Sequence, residues 1–368
     1  MSRAAGATPR GSRPAAGAKP GPRSAPTDAV GEAVVHRLPE TSAALEIRRA
    51  VRGWLAEYAP EARSRGIAVA LSGGADSLAL CAAAVVEAGG VDALIVDHRL
   101  QAGSDVVAAD AAAAALALGC RSARVLAVDV GSAGGLEAAA RQARYAALDA
   151  ARAGLPVLVG HTLDDQAETV LLGLARGSGG RSIHGMAAFA DPWGRPLLGV
   201  RRAATRQLCA DLGLTPHEDP HNSSPEFTRV RLRTEVLPLL EEVLGGAVAS
   251  ALARTAEQLR EDGELLDAMA DELLGAASAD SDPDRSDSDG MSLSIETLAT
   301  APAALRRRAI RAWLLAGGAK VLTGKHLHAV DALITDWHGQ GGVAVGGGRP
   351  GSRLVAAREH GRLIMRLR

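Results

Sequence analysis

Three polar stretches before residue 170 carry side chains suited to phosphate and proton chemistry. The first is Ser72-Gly73-Gly74-Ala75-Asp76-Ser77, set between the apolar run 67–71 and an alanine-rich run from Leu78. Paired glycines let the backbone bend and turn successive N–H groups outward. Ser72 and Ser77 add hydroxyls, and a helix opening at Asp76–Ser77 adds the positive end of its dipole. Together these make a nest for a diphosphate. Asp76 suits an anion site if a Mg²⁺ lies between it and the phosphates. The competing reading is a tight turn whose Asp76 or Ser77 only caps a helix. The loop is neither G-x-x-x-x-G-K nor G-x-G-x-x-G, so it is not one of those phosphate loops. The second stretch holds Asp97, His98 and Arg99. The third runs from His161 through Asp164 and Asp165 to Glu168. On a helix these acids share a face, where carboxylates can orient an ammonium group and take its proton.

Each stretch must be held in place by the element before it. The runs IAVAL, VDALIVD, ARVLAVDV and PVLVG are short and continuously apolar, and alanine- and leucine-rich helical patterns separate them. Such alternation predicts an α/β fold, a parallel sheet covered on both faces. Right-handed crossovers make it a doubly wound, Rossmann-like domain. Ligands bind such sheets beyond the carboxyl ends of the strands, and all three stretches fall there. Residues 1–40, rich in Pro, Gly, Ala and Arg, read as a disordered tail. The catalytic domain is expected at 41–243. Residues 244–368 read as mainly helical, ending in a β-hairpin, with an acidic disordered loop at 279–290.

The 368 residues carry 41 basic and 42 acidic side chains, so no global field marks a nucleic-acid binder. Lys19, Lys320 and Lys325 are the only lysines. Cys81, Cys120 and Cys209 form no C-x-x-C pair, which argues against a metal cluster or a disulfide framework and fits a reducing, cytoplasmic setting. No apolar run reaches the length of a membrane span.

The glycine loop resembles the SGGxDS loop of the N-type ATP pyrophosphatases, also called PP-loop enzymes. With it, VDHRL, EAAARQARY, GHTLDDQAETVLLGLARGSG, RPLL and EDPHNSSPEFTRVRLRTEVLPLL come in the order and spacing of the tRNA(Ile)-lysidine synthase family. The likeness is strong over about residues 42–245 and weaker beyond. It implies two steps. ATP adenylates the C2 oxygen of the wobble cytidine in the CAU anticodon of tRNA(Ile), releasing diphosphate. Free L-lysine then attacks C2 and displaces AMP.

By that resemblance Ser72, Gly73, Gly74, Ala75, Asp76 and Ser77 bind ATP, and Asp76 holds Mg²⁺. Asp76, Asp164, Asp165 and Glu168 are the catalytic candidates. Asp97, His98, Arg141, Arg144, His161, Arg229, Arg231 and Arg233 form a nucleotide or RNA shell. Extended, TRVRLR would present Arg229, Arg231 and Arg233 on one face to a phosphate backbone; as a helix it would spread them into ion pairs. Arg306, Arg307, Arg308 and Arg311 are the expected tRNA-binding patch of the C-terminal part. The chain departs from the family pattern at Thr162, where a second His is common, at Val230, where Asn is common, and at Gly346-Gly347, where Pro-Gly is usual.

The nearest rival is a PP-loop tRNA thiolation enzyme, which would need paired cysteines. The rival from another class is a non-catalytic nucleotide-binding or RNA-binding regulator, which would not need five site acids, Asp76, Asp97, Asp164, Asp165 and Glu168.

Overall fold

The computed structural model of the chain describes residues 37–101, 103–131, 135–177, 179–218, 226–279, 292–348 and 352–368. The expected tail and acidic loop lie outside the described residues, apart from Arg37–Glu40 and Ala279.

Strands β1 (Ile67–Ala70), β2 (Val91–Asp97), β3 (Ser122–Ala127) and β4 (Val157–Val159) are the four expected from the apolar runs. Two strands of two residues each, β5 (Phe189–Ala190) and β6 (Trp193–Gly194), complete the sheet in the order β3-β2-β1-β4-β6-β5. All pairings are parallel except β5 with β6. Two-residue strands carry no readable periodicity, so the sequence could not announce them.

Helices α1 (Ser42–Tyr58), α3 (Ala75–Glu87), α4 (Ser104–Ala117), α5 (Leu136–Ala151), α6 (Leu163–Arg176) and α7 (Arg202–Asp211) fall where expected, and α2 (Ala62–Arg65) is a single added turn. Alternate strand residues face opposite layers. Ile67, Val69 and Ile95 pack with Ile47 and Val51 of α1, Leu80 of α3, Ala111 of α4 and Leu208 of α7. Ala68, Leu94 and Val157 pack with Leu148 and Ala151 of α5. The strand order reverses between β1 and β4, and this is the crevice where a doubly wound sheet binds its ligand.

Beyond α7 the chain is helical: α8 (Thr228–Arg231), a π-helical turn at Leu232–Val236, α9 (Leu237–Leu244) and the long α10 (Val248–Ala279). The turn into α10 is sharp, 95°. The start of α10 packs on α6, with Ala249 against Ala167 and Leu237. Its far end, at Ala277, enters a second core with Ile310 and Trp313 of α12 (Ala303–Ala316) and Val330 and Leu333 of α13 (Gly324–Thr335). Helix α11 (Ile295–Ala299) also belongs to that core.

The terminal hairpin expected from VAVGGGR and GRLIMRLR is corrected: β10 (Arg362–Leu367) pairs with β9 (Leu354–Glu359), and the VAV segment pairs with the other edge of β9 in a larger antiparallel sheet. With β7 (Ser292–Ser294) and β8 (Val343–Val345) the order is β7-β10-β9-β8. A Cβ on Gly346 would stand 2.4 Å from the Lys320 carbonyl oxygen, and one on Gly347 2.5 Å from that of Gly318. The close approach of these two backbones accounts for the paired glycines.

One member of the expected arginine patch is corrected here. Arg306 is 7% exposed and donates to Asp331 at 2.6 Å. Arg307 lies against His328 and the Ala303 carbonyl, and Arg308 is bonded to Asp267 of α10. These arginines hold the C-terminal core together and tie it to α10. Among the four only Arg306 is buried; Arg307, Arg308 and Arg311 lie within roughly a third of the helix circumference and stay partly exposed. Among the described residues no single helix is long and apolar enough to cross a membrane.

Candidate functional site

The Ser72–Ser77 loop leaves β1 and enters α3 through two glycines with different tasks. Gly73 has φ +81°, in the left-handed region that favours glycine, and its carbonyl accepts from His217 N at 2.9 Å. Gly74 caps α3, its carbonyl accepting from Ser77 N and Leu78 N at 3.1 and 3.0 Å. The two serine hydroxyls lie 3.1 Å apart, and Ser77 Oγ also accepts from Ser72 N at 3.1 Å. They fix the loop so that the first turn of α3 opens toward the crevice.

The end of β4 lies directly against this loop. A Cβ on Gly160 would come within 3.0 Å of the Asp76 carbonyl and the Ser77 nitrogen. Only glycine allows that contact without displacement, and it sets the third polar stretch beside the first. Thr162 then opens α6: its N–H and hydroxyl donate to Asp165 Oδ2 at 2.7 and 2.8 Å. The family departure at 162 is thus a fully buried helix cap.

Arg202, at the start of α7, links the loop to α6. It lies 3.1 Å from Asp76, 2.6 Å from Asp165 and 3.5 Å from Glu168. Thr205 Oγ1 also donates to Asp76. Asp164 accepts from the Arg202 backbone N–H at 2.8 Å and pairs with Arg201 at 3.3 Å. Glu168, with 0% exposure, accepts from Arg233 at 2.9 Å and lies 3.8 Å from Arg229. Burial raises the Asp76 carboxyl above its ordinary range despite Arg202 and Thr205, and Asp165 adds to the rise. Burial works the same way on Asp165, but Arg202 and Thr162 outweigh it and hold that carboxyl low.

The extended reading of TRVRLR is corrected. The segment is helical, so Arg229 and Arg233, one turn apart, both reach Glu168, while Arg231 turns away to pair with Glu235 at 2.9 Å. Val230 is buried beneath them at 6% exposure.

Asp97 fixes the second stretch. It takes the Arg99 N–H at 2.9 Å, and Arg99 has φ 53°. The Ser104 hydroxyl, followed by the Arg99 N–H, outweighs burial and keeps the Asp97 carboxyl low. His98 and His161 stand at the ends of β2 and β4, the two strands that flank β1, and Nδ1 of each is buried without a partner. Burial pushes His161 down to about 4, the arginines 195, 144 and 141 adding to the fall and Asp165 opposing it. Burial and then Arg144 lower His98 in the same sense.

Arg141 and Arg144 project from α5 around Tyr145, the guanidinium carbons 4.8 and 5.8 Å from its ring centre. Arg195, Arg201, Arg202, Thr205 and His217 also border the site. Sequence reasoning gave them no role. The one signal was Arg201-Arg202 at the mouth of a predicted helix, which reads equally as a solvated helix start.

The cysteines are less scattered than their spacing suggested. Cys81 and Cys120 Sγ lie 3.3 Å apart, both buried in the core under α3 and α4. The Cys120 contact and burial raise the Cys81 thiol well above its ordinary value. Burial, with Asp76 nearby, pushes Cys209 up to about 11. Among the described residues no cluster of three or more His, Cys, Asp or Glu is arranged to hold a metal ion. A single carboxylate is nonetheless the usual protein share of a Mg²⁺ whose other ligands are phosphate and water oxygens. Asp76, a half-buried carboxylate beside the glycine loop, has the donor chemistry for that share.

Residues 46–240 match the family model of the PP-loop domain, and residues 293–364 match that of the TilS substrate binding domain. A tRNA(Ile)-lysidine synthase of Nocardia farcinica is 74% identical over 87% of this chain and 97% of its own length. One of Rhodococcus erythropolis is 67% identical, over 89% and 97%. Among solved structures, the U34-tRNA thiolase NcsA from Methanococcus maripaludis aligns over 60% of this chain and 80% of that chain, with a TM-score of 0.47 and 19% identity.

Proposed function

The chain belongs to the tRNA(Ile)-lysidine synthase family, and on that premise we propose how its residues divide the reaction. It is a ligase that uses ATP to join lysine to the wobble cytidine of tRNA(Ile). The observation that carries the residue assignment is the seating of Gly160 on the backbone of Asp76–Ser77. That contact brings a phosphate loop and a carboxylate helix to the same crevice.

The Ser72–Ser77 loop and the first turn of α3 hold the diphosphate leaving group. Their N–H groups stabilise charge that grows as the bond between the α and β phosphorus atoms breaks. Asp76 is the residue that would hold a Mg²⁺, which would supply positive charge against the phosphates. Asp165, kept ionised by Arg202 and Thr162, offers a fixed negative charge to the lysine ammonium group. Asp164 closes the start of α7 and keeps Arg202 aimed, and Glu168 does the same from below through a fully buried carboxylate. Both are positioning residues. Neutral His161, at the end of β4, is a hydrogen-bonding contact for the nucleotide. Residues 41–243 carry the chemistry and 244–368 bind the tRNA body, with α10 joining the two. The reaction takes place in the cytoplasm, on tRNA(Ile) with a CAU anticodon and free L-lysine.

Thiolation gains no support, because the three thiols are buried and at least two are pushed toward the protonated form. The test is incubation with a CAU-anticodon tRNA(Ile) transcript, ATP and labelled lysine. Label should enter the RNA with equimolar AMP. AMP without label in the RNA, or no ATP consumption, would overturn the assignment.

A further inference from the structure

The α5 side of the crevice holds positive charge that the site's carboxylates do not neutralise. Arg141 Nη2 lies 3.3 Å from the Tyr145 hydroxyl, the Arg144 guanidinium carbon is 5.8 Å from the ring centre, and the ring packs edge-on at 4.6 Å against Trp193, two positions before Arg195. Tyr145 thus gathers positive charge from α5 beside the strand end that carries Arg195. The carboxylates of the site are bonded elsewhere: Asp164 to Arg201, Asp165 to Arg202, Glu168 to Arg233.

Among the described residues three buried side-chain polar atoms lack a partner: Nδ1 of His98, Nδ1 of His161 and Nε of Arg195. All three belong to this group, since His161 feels Arg195, Arg144 and Arg141, and His98 feels Arg144. An unsatisfied buried N–H is costly, and native proteins rarely keep one without a use. Arg195 is anchored at its other edge, where Nη1 donates to the Ala187 carbonyl at 3.0 Å. Its Nε is therefore held in place with nothing to bond.

We propose that Arg195, with Arg141 and Arg144, binds a phosphate group of the substrates between their guanidiniums. This rests on the lysidine synthase reading and adds to it a contact outside the glycine loop. Guanidinium planes match phosphate oxygens edge to edge. Three of them exceed the single charge of a lysine carboxylate. The pocket also adjoins His161, next in chain to the glycine seated on the diphosphate loop. The phosphate is either the α-phosphate of ATP or a phosphodiester beside the wobble cytidine, and the two are separable.

Arg195→Gln and Arg195→Lys are compared with the wild type. Binding of a non-hydrolysable ATP analogue is measured without RNA, and binding of tRNA(Ile) without ATP across a salt series. If the phosphate is ATP's, analogue affinity falls roughly 10- to 100-fold, the loss of one hydrogen bond to a charged group, and tRNA binding holds. If it is the RNA's, tRNA affinity falls, the log–log salt slope drops by about one unit, and analogue binding holds. Arg195→Lys keeps the charge and gives a smaller loss of the same kind. It carries the test if Arg195→Gln unfolds. Both affinities staying within about twofold of wild type, or a rise in lysine KM alone, would overturn the proposal. A wild-type protein that binds both ligands yet transfers no lysine would instead refute the functional reading.

Discussion

Replacing Glu168 by Gln removes one charge and almost no volume from a side chain with 0% exposure. Its Oε1 accepts from Arg233 at 2.9 Å and lies 3.5 Å from Arg202, while Arg229 stands 3.8 Å from Oε2. Breaking one side of a buried ion pair costs about 3–5 kcal/mol. The partners are unequal. Arg229 is 47% exposed and Arg233 30%, so water recovers part of what they lose. Arg202, at 16%, keeps Asp76 and Asp165. The expected loss is therefore at the low end, about 3 kcal/mol.

Urea unfolding followed by circular dichroism measures it as a shift in midpoint at unchanged slope. A cycle with Arg233→Met should return a coupling of at least about 1 kcal/mol, because removing both partners no longer strands a guanidinium. Lysine transfer by Glu168→Gln should fall in part, through a displaced Arg202. If stability stays within about 0.5 kcal/mol while lysine transfer vanishes, the positioning argument fails and Glu168 acts on substrate.

Asp76→Asn should fold, since the change is nearly isosteric, but make no AMP; turnover at the wild-type rate removes Asp76 from the phosphate chemistry. Gly160→Ala drives a Cβ to 3.0 Å from the Asp76 carbonyl. It should cost about 1–3 kcal/mol of stability and raise the KM for ATP more than that for lysine; an unchanged ATP KM would detach Gly160 from the loop. Burial pushes His161 down to about 4 in the fold, from the ordinary imidazole value of 6.5. The unfolded chain therefore binds the proton first as pH falls. Stability present above pH 6.5 is lost toward pH 4, by about 3 kcal/mol at 1.36 kcal/mol per unit. His98 and His184 are shifted in the same sense. The measurement is therefore the difference between wild type and His161→Gln, whose melting temperature should fall less over that interval. Parallel pH profiles would show that His161 titrates normally.

What the sequence made legible follows from period and length. The first four strands are continuous apolar runs between helices, and their polar ends could be placed on one edge before any coordinates. Strands β5, β6 and β7, of two or three residues, lie below any period. They were missed, and with them the position of Arg195 beside β6. The carboxylates of α6 were found because acids at helical spacing after a strand are conspicuous. Their partners were not, because Arg201, Arg202, Arg229 and Arg233 reach Asp164, Asp165 and Glu168 from more than thirty positions away. For TRVRLR the sequence admitted two periods. Packing of Val230 and the pull of Glu168 select the helical one. Arg306 misled because charge density is visible in a sequence and burial is not.

The charge of the site divides in a way that only the fold reveals. Asp76, Asp164, Asp165 and Glu168 are matched by Arg201, Arg202, Arg229 and Arg233. Those pairs stitch α3, α6, α7 and the segment from α8 to α9 into one body and leave little net charge to attract ATP. Arg141, Arg144 and Arg195 sit across the crevice around a phenol, and the imidazole beside them is neutral at pH 7. A neutral hub beside a cationic wall suits a reaction whose first substrates are both polyanions and whose last is a cation. The wall draws phosphate in. In the proposed division of the reaction, Asp165, held ionised within the hub, meets the ammonium once the diphosphate has gone. Neutralising the wall should therefore slow adenylation at saturating lysine, whereas Asp165→Asn should raise the KM for lysine and leave adenylation of the tRNA nearly intact. Following AMP-linked RNA and lysine-linked RNA separately in a single turnover distinguishes the two. If Asp165→Asn abolishes the adenylated RNA as well, the hub and the wall do not act on separate steps.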